Sequence, residues 1–232
     1  MKICIAGDSW ACGEWGRNIS IKQRLFNGQS SLFVLHTGLQ FFLEKKHKVI
    51  NVGLGGSSNF QAVDRLSNAM HKDNFDYIFY FQTDPLRDSN FETFEKYKSI
   101  RIQDIALEQN NLLKMTYDKL NRLNKTVYAI GGASKLNDEL LTNYPNIISY
   151  IPSLTEFLVK GYTHPLFWQS QWLDYIENKC NIECLDILLK YKSMQDGLMQ
   201  DRYAKYFQPD GRHPNKYSHK LLYDKIKFDF NL

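Results

Sequence analysis

Short apolar runs that alternate with helical stretches constrain the fold of this chain more than any other feature. Mostly apolar residues typical of buried strands occupy residues 2–6, 49–52, 75–82, 126–130 and 147–151. Between them, apolar residues recur at helical spacing over residues 31–46, 60–71 and 102–123. Strands that alternate with helices indicate a parallel sheet covered on both faces. The sequence therefore predicts an α/β fold, a doubly wound, flavodoxin-like, five-stranded parallel sheet with helices on both faces.

The length favours a single domain over residues 1–232, because 232 residues suffice for one sizeable α/β unit and are few for two. Hydrophobic residues make up 43% of the chain and charged residues 23%, which argues against disorder. Residues 152–206 are aromatic and helical in pattern. We expect a helical insertion there, before a C-terminal helix near residues 217–228. It is either a wall of a substrate site or a structural layer.

Charge and hydropathy exclude several classes of partner. The net charge is only +4, and the densest basic stretch, residues 45–48, suits the end of a helix better than a nucleic-acid surface. No apolar stretch approaches the length of a membrane span, and the first residues do not resemble a signal peptide. We expect a cytoplasmic protein that binds neither nucleic acid nor membranes; its oligomeric state stays open.

The four cysteines, at positions 4, 12, 180 and 184, do not form the pattern of a small disulfide scaffold. A zinc site needs about four clustered ligands, and none lie near Cys180 and Cys184 in the sequence. We therefore expect reduced thiols, no metal and no cofactor.

Polar residues follow several of the expected strands, where the sites of open parallel sheets form. Residues 7–9 follow the first strand, 53–59 the second and 82–84 the third, while 210–214 precede the last helix. These segments contain a serine nucleophile, backbone and side-chain donors, and a histidine with a nearby carboxylate. Together they make up the inventory of an acyl-transfer site.

Ser9, His213 and Asp210 are the candidate catalytic residues. A serine hydroxyl is a weak nucleophile until a base removes its proton, and an imidazole such as that of His213 works near neutral pH. Asp210 precedes His213 by three residues across a turn that contains glycine. One short loop can therefore present both side chains, with the carboxylate holding the ring tautomer.

The same segments carry a family resemblance. Gly7-Asp8-Ser9 and Asp210-x-x-His213-Pro214 resemble the first and last blocks of the SGNH/GDSL hydrolase superfamily, and residues 51–58 resemble the second block. Residues 81–84 fall where its Gly-x-Asn-Asp block is expected. The resemblance covers residues 1 to about 130 and those from about 205. It implies a serine esterase whose oxyanion hole includes the backbone amides of Ser9 and Gly56.

The third block departs from the family pattern, because Thr83 stands where the family has asparagine. A threonine hydroxyl can donate a hydrogen bond to an oxyanion but is shorter, so Gln82 is an alternative donor. We expect Asp84 to brace the loop, and residues 84–88 could include a local pair between an aspartate and Arg87. Trp10 and Trp15 either line a pocket or pack in the core.

The resemblance implies hydrolysis of a carboxylic ester through an acyl-enzyme on Ser9, with an O-acetyl group on a carbohydrate as the preferred substrate. Lipid esters, thioesters and aryl esters stay open, since a fold does not determine a substrate. One alternative is a catalytically weak or inactive module that binds a glycan or protein. Another is a nucleotide-binding protein, because Gly53-x-Gly55-x-x-Ser58 loosely imitates a dinucleotide-binding loop.

Overall fold

A computed structural model describes residues 1–13, 38–89, 99–132, 134–159, 205–207 and 213–232. It contains a five-stranded sheet in the order β2-β1-β3-β4-β5 in which every neighbouring pair is parallel. The strands are β1 Lys2–Ala6, β2 Lys48–Asn51, β3 Tyr77–Gln82, β4 Val127–Gly131 and β5 Ile147–Ile151. This order is that of a flavodoxin-like sheet, so the predicted fold class is confirmed.

Helices surround the sheet as expected for parallel strands. They are α1 Ser9–Cys12, α2 Leu39–Leu43, α3 Asn59–Lys72, α4 Ile102–Asn121, α5 Asp138–Leu141, α6 Leu154–Leu158 and α7 Lys216–Asp229, with a 3₁₀ helix at Pro85–Asp88. Local capping explains where several begin. Ser58 and Gln61 form a capping box before α3, and the Asn215 side chain accepts from the Ser218 amide at the start of α7.

Side chains that alternate along the strands build two separate cores. Residues Ile3, Ile5, Phe79 and Phe81 pack on one face with side chains of α2 and α7, including Leu39, Leu43, Leu222 and Ile226. The opposite face carries Cys4, Ala6, Ile78 and Tyr80, which pack with side chains of α3 and α4, including Val63, Leu66, Leu113 and Tyr117. Because strands buried on both faces must be apolar throughout, the near-continuous apolar runs of the sequence follow from this arrangement.

Some sequence expectations fall only partly within the described residues. The helix expected at residues 31–46 is seen as Leu39–Leu43, and residues 31–37 lie outside the described part. Of the expected insertion at 152–206, the structure describes residues 152–159, which include α6, and residues 205–207. Within the described ranges, no helix combines the length and apolarity needed to cross a membrane.

Candidate active site

The nucleophile loop is a sharp turn at the carboxyl end of β1. Gly7 has φ +145°, and a Cβ placed there would lie 2.7 Å from the Phe81 carbonyl oxygen, so a larger residue would not fit. Asp8 then caps α1 by accepting a hydrogen bond from the Trp10 amide at 3.0 Å. The turn places Ser9 as the first residue of α1, where its side chain is largely buried.

The structure brings together two residues that are 204 positions apart. The Ser9 Oγ and the His213 Nε2 lie 3.0 Å from each other, within hydrogen-bonding distance. The loop before α7 positions His213, since Phe207 and Pro214 form an antiparallel bridge and the Asn215 amide donates to the Tyr206 carbonyl. Asp210, the expected third member, lies outside the described residues.

The loop after β2 lies against the nucleophile loop. The Leu54 amide donates to the Gly7 carbonyl at 3.2 Å, and the Asn51 side-chain amide donates to the Ala11 carbonyl at 2.9 Å. Gly56 has φ +76°, and a Cβ added there would meet no atom of the described residues within 4 Å. The exposed glycine therefore borders open space, where a substrate could approach its backbone closely.

The two side chains considered as further oxyanion donors have different surroundings. Gln82 is fully buried; its Nε2 donates to the Ser134 Oγ at 2.9 Å and the Lys135 carbonyl at 3.0 Å, while its Oε1 accepts from the Tyr117 hydroxyl. Both amide hydrogens are thus already used. The buried Thr83 Oγ1 has no hydrogen-bond partner among the described residues. This difference favours Thr83 over Gln82 as the donor.

Asp84 braces the segment after β3, as expected. Its Oδ1 accepts from the Leu86 amide at 3.0 Å and so caps the 3₁₀ helix. Burial raises the pKa of the Asp84 carboxyl from its ordinary value of 3.8 to about 7, although the Leu86 amide and the charge of Arg87 oppose this shift. Its Oδ2 has no hydrogen-bond partner in the described part of the chain. The carboxyl is therefore held in an environment that disfavours its charge.

Two arginines that the sequence analysis did not assign to the site connect its loops. Arg87 forms an ion pair with Asp8 at 3.3 Å, whereas the sequence suggested a local pair with Asp84 or Asp88. Arg65 donates to the carbonyls of Val52 and Gly7 at 2.8 and 3.2 Å. Neither arginine sits in a recognisable motif, and only the pairing of loops in space reveals its contacts.

The remaining candidates near the site are structural. Trp10 is 3% exposed and packs in the core that contains α2 and α7, while Trp15 lies outside the described residues. Cys4 and Cys12 carry free thiols. Burial raises the pKa of Cys12 to about 11, so it is a neutral thiol at physiological pH and a poor nucleophile. Cys180 and Cys184 lie outside the described part.

A cavity of about 280 Å³ lies beside the end of α1, lined in its described part by Cys12, Gly38, Gln40, Phe41, Glu44, Asn51 and Gly53. Its described lining includes the polar side chains of Gln40, Glu44 and Asn51 and the aromatic ring of Phe41. Among the described residues, no group of three His, Cys, Asp or Glu side chains is placed to hold a metal ion.

Comparison with known proteins gives structural similarities at low sequence identity. No family model matches the chain, and no curated protein matches it. The esterase EstA from Pseudoalteromonas sp. aligns with 99% of this chain and 96% of its own, at 14% identity and a TM-score of 0.45. The acetylxylan esterase Axe2 from Geobacillus stearothermophilus aligns with 100% and 94%, at 13% identity and a TM-score of 0.44.

A lipase/acylhydrolase from Enterococcus faecalis aligns with 99% of this chain and 94% of its own, at 14% identity and a TM-score of 0.39. The site itself places the Ser9 hydroxyl within hydrogen-bonding distance of the His213 imidazole at the carboxyl edge of a parallel sheet. Such a pair can activate the serine for attack on a carbonyl.

Proposed function

We propose that the protein is a serine hydrolase of the SGNH type that cleaves a carboxylic ester through an acyl-enzyme on Ser9. The observation that carries this proposal is the 3.0 Å distance between the Ser9 Oγ and the His213 Nε2. The fold brings a serine at the end of the first strand next to a histidine before the last helix, and this contact supports a nucleophile–base pair.

The reaction follows from this pair. The Ser9 oxygen attacks the ester carbonyl carbon while its proton passes to the His213 Nε2, so the Nδ1 of the neutral ring must carry the other proton. The carboxylate of Asp210 is proposed to accept a hydrogen bond from that Nδ1–H without taking up the proton. The imidazolium then protonates the departing alcohol, which leaves the acyl group on Ser9. Water attacks this acyl-enzyme with His213 again as base, releasing the acid and restoring Ser9.

Negative charge on the former carbonyl oxygen must be stabilised during both steps. The backbone amides of Ser9 and Gly56 are the proposed donors, and the open space at Gly56 supports the second. The Thr83 hydroxyl is the proposed third donor, because it is buried and lacks another partner among the described residues. A threonine reaches less far than asparagine, so we expect a slow enzyme.

A small acyl group on a carbohydrate is the proposed substrate. This preference comes from the family resemblance in the sequence. The cavity beside α1 does not contribute to this preference, because its described lining includes neither Ser9 nor His213.

The experiment that tests the function is covalent labelling with a fluorophosphonate probe, combined with turnover of nitrophenyl acetate and acetylated sugars. We expect labelling on Ser9, loss of labelling in Ser9→Ala, and a fall in turnover of about a thousandfold or more in Ser9→Ala or His213→Ala. Ser149→Ala is the matched control, since Ser149 lies in β5 and hydrogen-bonds Asp138. Full turnover by Ser9→Ala would disprove the choice of nucleophile.

A non-catalytic module that binds a glycan or protein is the second candidate. The replacement of the family's asparagine by Thr83 favours it, because an incomplete oxyanion hole lowers activity. The labelling experiment separates the two candidates. An unlabelled Ser9 in folded protein that nevertheless binds acetylated oligosaccharides would support the binding module.

A further inference from the structure

Arg87 occupies a position where three segments of the site meet. It belongs to the 3₁₀ helix that follows β3, four residues after Thr83. Its Nη1 donates to the Asp8 Oδ2 at 3.3 Å and to the Ser57 carbonyl at 3.2 Å. Asp8 is the neighbour of Ser9, and Ser57 is the neighbour of Gly56. One guanidinium nitrogen thus links the ends of β1 and β3 with the loop after β2.

The charge of Asp8 gives this link its strength. The Asp8 side chain is only 1% exposed, whereas that of Arg87 is 23% exposed. A buried carboxylate needs a charged or hydrogen-bonding partner for each oxygen. The Oδ1 of Asp8 accepts from the Trp10 amide, and the Oδ2 accepts from Arg87. Without the guanidinium, the carboxylate would be left partly unpaired and the nucleophile loop would have to relax.

The chain also contains an arginine with a more limited role. Arg65 donates to Val52 and Gly7 carbonyls and to the Ser57 Oγ at 2.7 Å, so it joins the end of β1 to the loop after β2. Its described hydrogen bonds do not include the segment after β3. Of these two arginines, Arg87 is therefore the one whose described contacts connect the segment after β3, which includes Thr83, to the end of β1 and to the loop after β2.

We propose that Arg87 is a positioning residue that holds the three oxyanion donors, the amides of Ser9 and Gly56 and the hydroxyl of Thr83, at their working separation. This role rests on the proposed function, because it acts through those donors and touches no reacting atom. Donors must be held in advance around the oxygen on which charge develops. The Nη1 of Arg87 donates to both acceptors, and the planar guanidinium holds that nitrogen in a more fixed direction than an ammonium on a flexible stem would.

The test compares Arg87→Ala and Arg87→Lys with wild type in steady-state hydrolysis of nitrophenyl acetate. A misplacement of about 1 Å costs on the order of a hundredfold in rate, so we expect kcat of Arg87→Ala to fall by about that factor while KM changes less than about threefold. Arg87→Lys should recover part of the loss. Low millimolar guanidinium should raise kcat of Arg87→Ala by about tenfold, and equal sodium chloride should not.

Arg122→Ala is the matched control, because Arg122 is an exposed arginine at the end of α4. It should show wild-type kcat and no response to guanidinium. An active enzyme in which Arg87→Ala keeps its kcat would overturn the positioning role. A fall in kcat that neither lysine nor guanidinium reverses, in protein that remains folded, would also overturn it.

A second measurement separates this inference from the proposed function. Amide hydrogen exchange at Leu54 and Ser57, whose amides donate to the Gly7 and Leu54 carbonyls, reports how firmly the loop is held, whether or not the protein hydrolyses an ester. We expect exchange there to be about tenfold faster in Arg87→Ala and to slow again with guanidinium. Wild type that turns over no ester would disprove the proposed function alone. Unchanged exchange in Arg87→Ala would disprove the link itself.

Discussion

Replacing Asp84 by asparagine should change how the stability of the protein depends on pH. Asp84 is fully buried, and burial raises the pKa of its carboxyl from 3.8 to about 7. In the unfolded chain the carboxyl ionises near pH 4, so between about pH 4 and 7 the unfolded state binds fewer protons than the folded state. The free energy of unfolding contributed by Asp84 therefore decreases as pH rises through this window and is constant above it.

The size of the effect follows from the two pKa values. Each pKa unit corresponds to about 1.4 kcal/mol. Relative to an uncharged side chain, Asp84 therefore lowers the free energy of unfolding by about 4 kcal/mol at pH 8, where it is ionised when folded, and by about 2 kcal/mol at pH 5, where it must take up a proton to fold. Asparagine keeps an oxygen for the Leu86 amide and carries no charge. Its amide nitrogen replaces the Oδ2, which lacks a partner among the described residues, at a pH-independent cost of about 1–3 kcal/mol.

Urea unfolding followed by tryptophan fluorescence at pH 5 and pH 8 measures this effect. The stability of Asp84→Asn relative to wild type should rise by roughly 2–3 kcal/mol between the two pH values. Asp64→Asn is the control, since the Asp64 side chain is 64% exposed and pairs with Lys119, and its relative stability should change by less than about 0.5 kcal/mol. A relative stability of Asp84→Asn that does not change with pH would refute the reasoning.

Three further predictions concern the oxyanion hole, the nucleophile turn and a buried histidine. Thr83→Val should lower kcat in ester hydrolysis by about tenfold because it removes the hydroxyl, and Thr83→Asn should keep or raise kcat. Equal kcat for wild type and Thr83→Val would exclude the hydroxyl as a donor. Gly7→Ala should unfold at lower urea than Gly56→Ala, because the Cβ at Gly7 would lie 2.7 Å from the Phe81 carbonyl oxygen while that at Gly56 meets no atom of the described residues within 4 Å, and the reverse order would contradict the turn geometry. Burial lowers the pKa of His219 to about 4, so the stabilising effect of its neutral ring is present above pH 6.5 and decreases by about 3 kcal/mol as pH falls towards 4. The free energy of unfolding of His219→Phe should lack this decrease. If the free energies of unfolding of variant and wild type fell in parallel between pH 7 and 4.5, a lowered pKa of His219 would be excluded.

The local pattern of the sequence was sufficient to predict the sheet. The strands β1 to β5 lie within about two residues of the expected runs, because strands buried on both faces must be apolar along their whole length. The polar residues that follow the first three strands also predicted which segments would meet at the carboxyl edge. Expectation and structure agree best where the residues of one short segment, such as an apolar strand, determine its conformation by themselves.

Side-chain partners within the site did not follow from the sequence. The sequence left Thr83 and Gln82 as alternative donors, and it did not reveal that Tyr117 and Ser134, distant in sequence, hydrogen-bond the amide of Gln82. Arg87 was expected to have a local partner and instead pairs with Asp8, 79 positions away. Local spacing cannot reveal which side chain arrives from another strand.

The sequence by itself therefore determined the order of strands and helices and the residue types at the edge of the sheet, because periodicity and turn chemistry depend on near neighbours. Only the tertiary structure decided which of those residues touch. The contact between Ser9 and His213 requires β1 and the start of α7 to be adjacent, and that adjacency depends on both cores packing around one sheet. Burial, which sets the pKa of Asp84 near 7, is likewise a property of the whole fold.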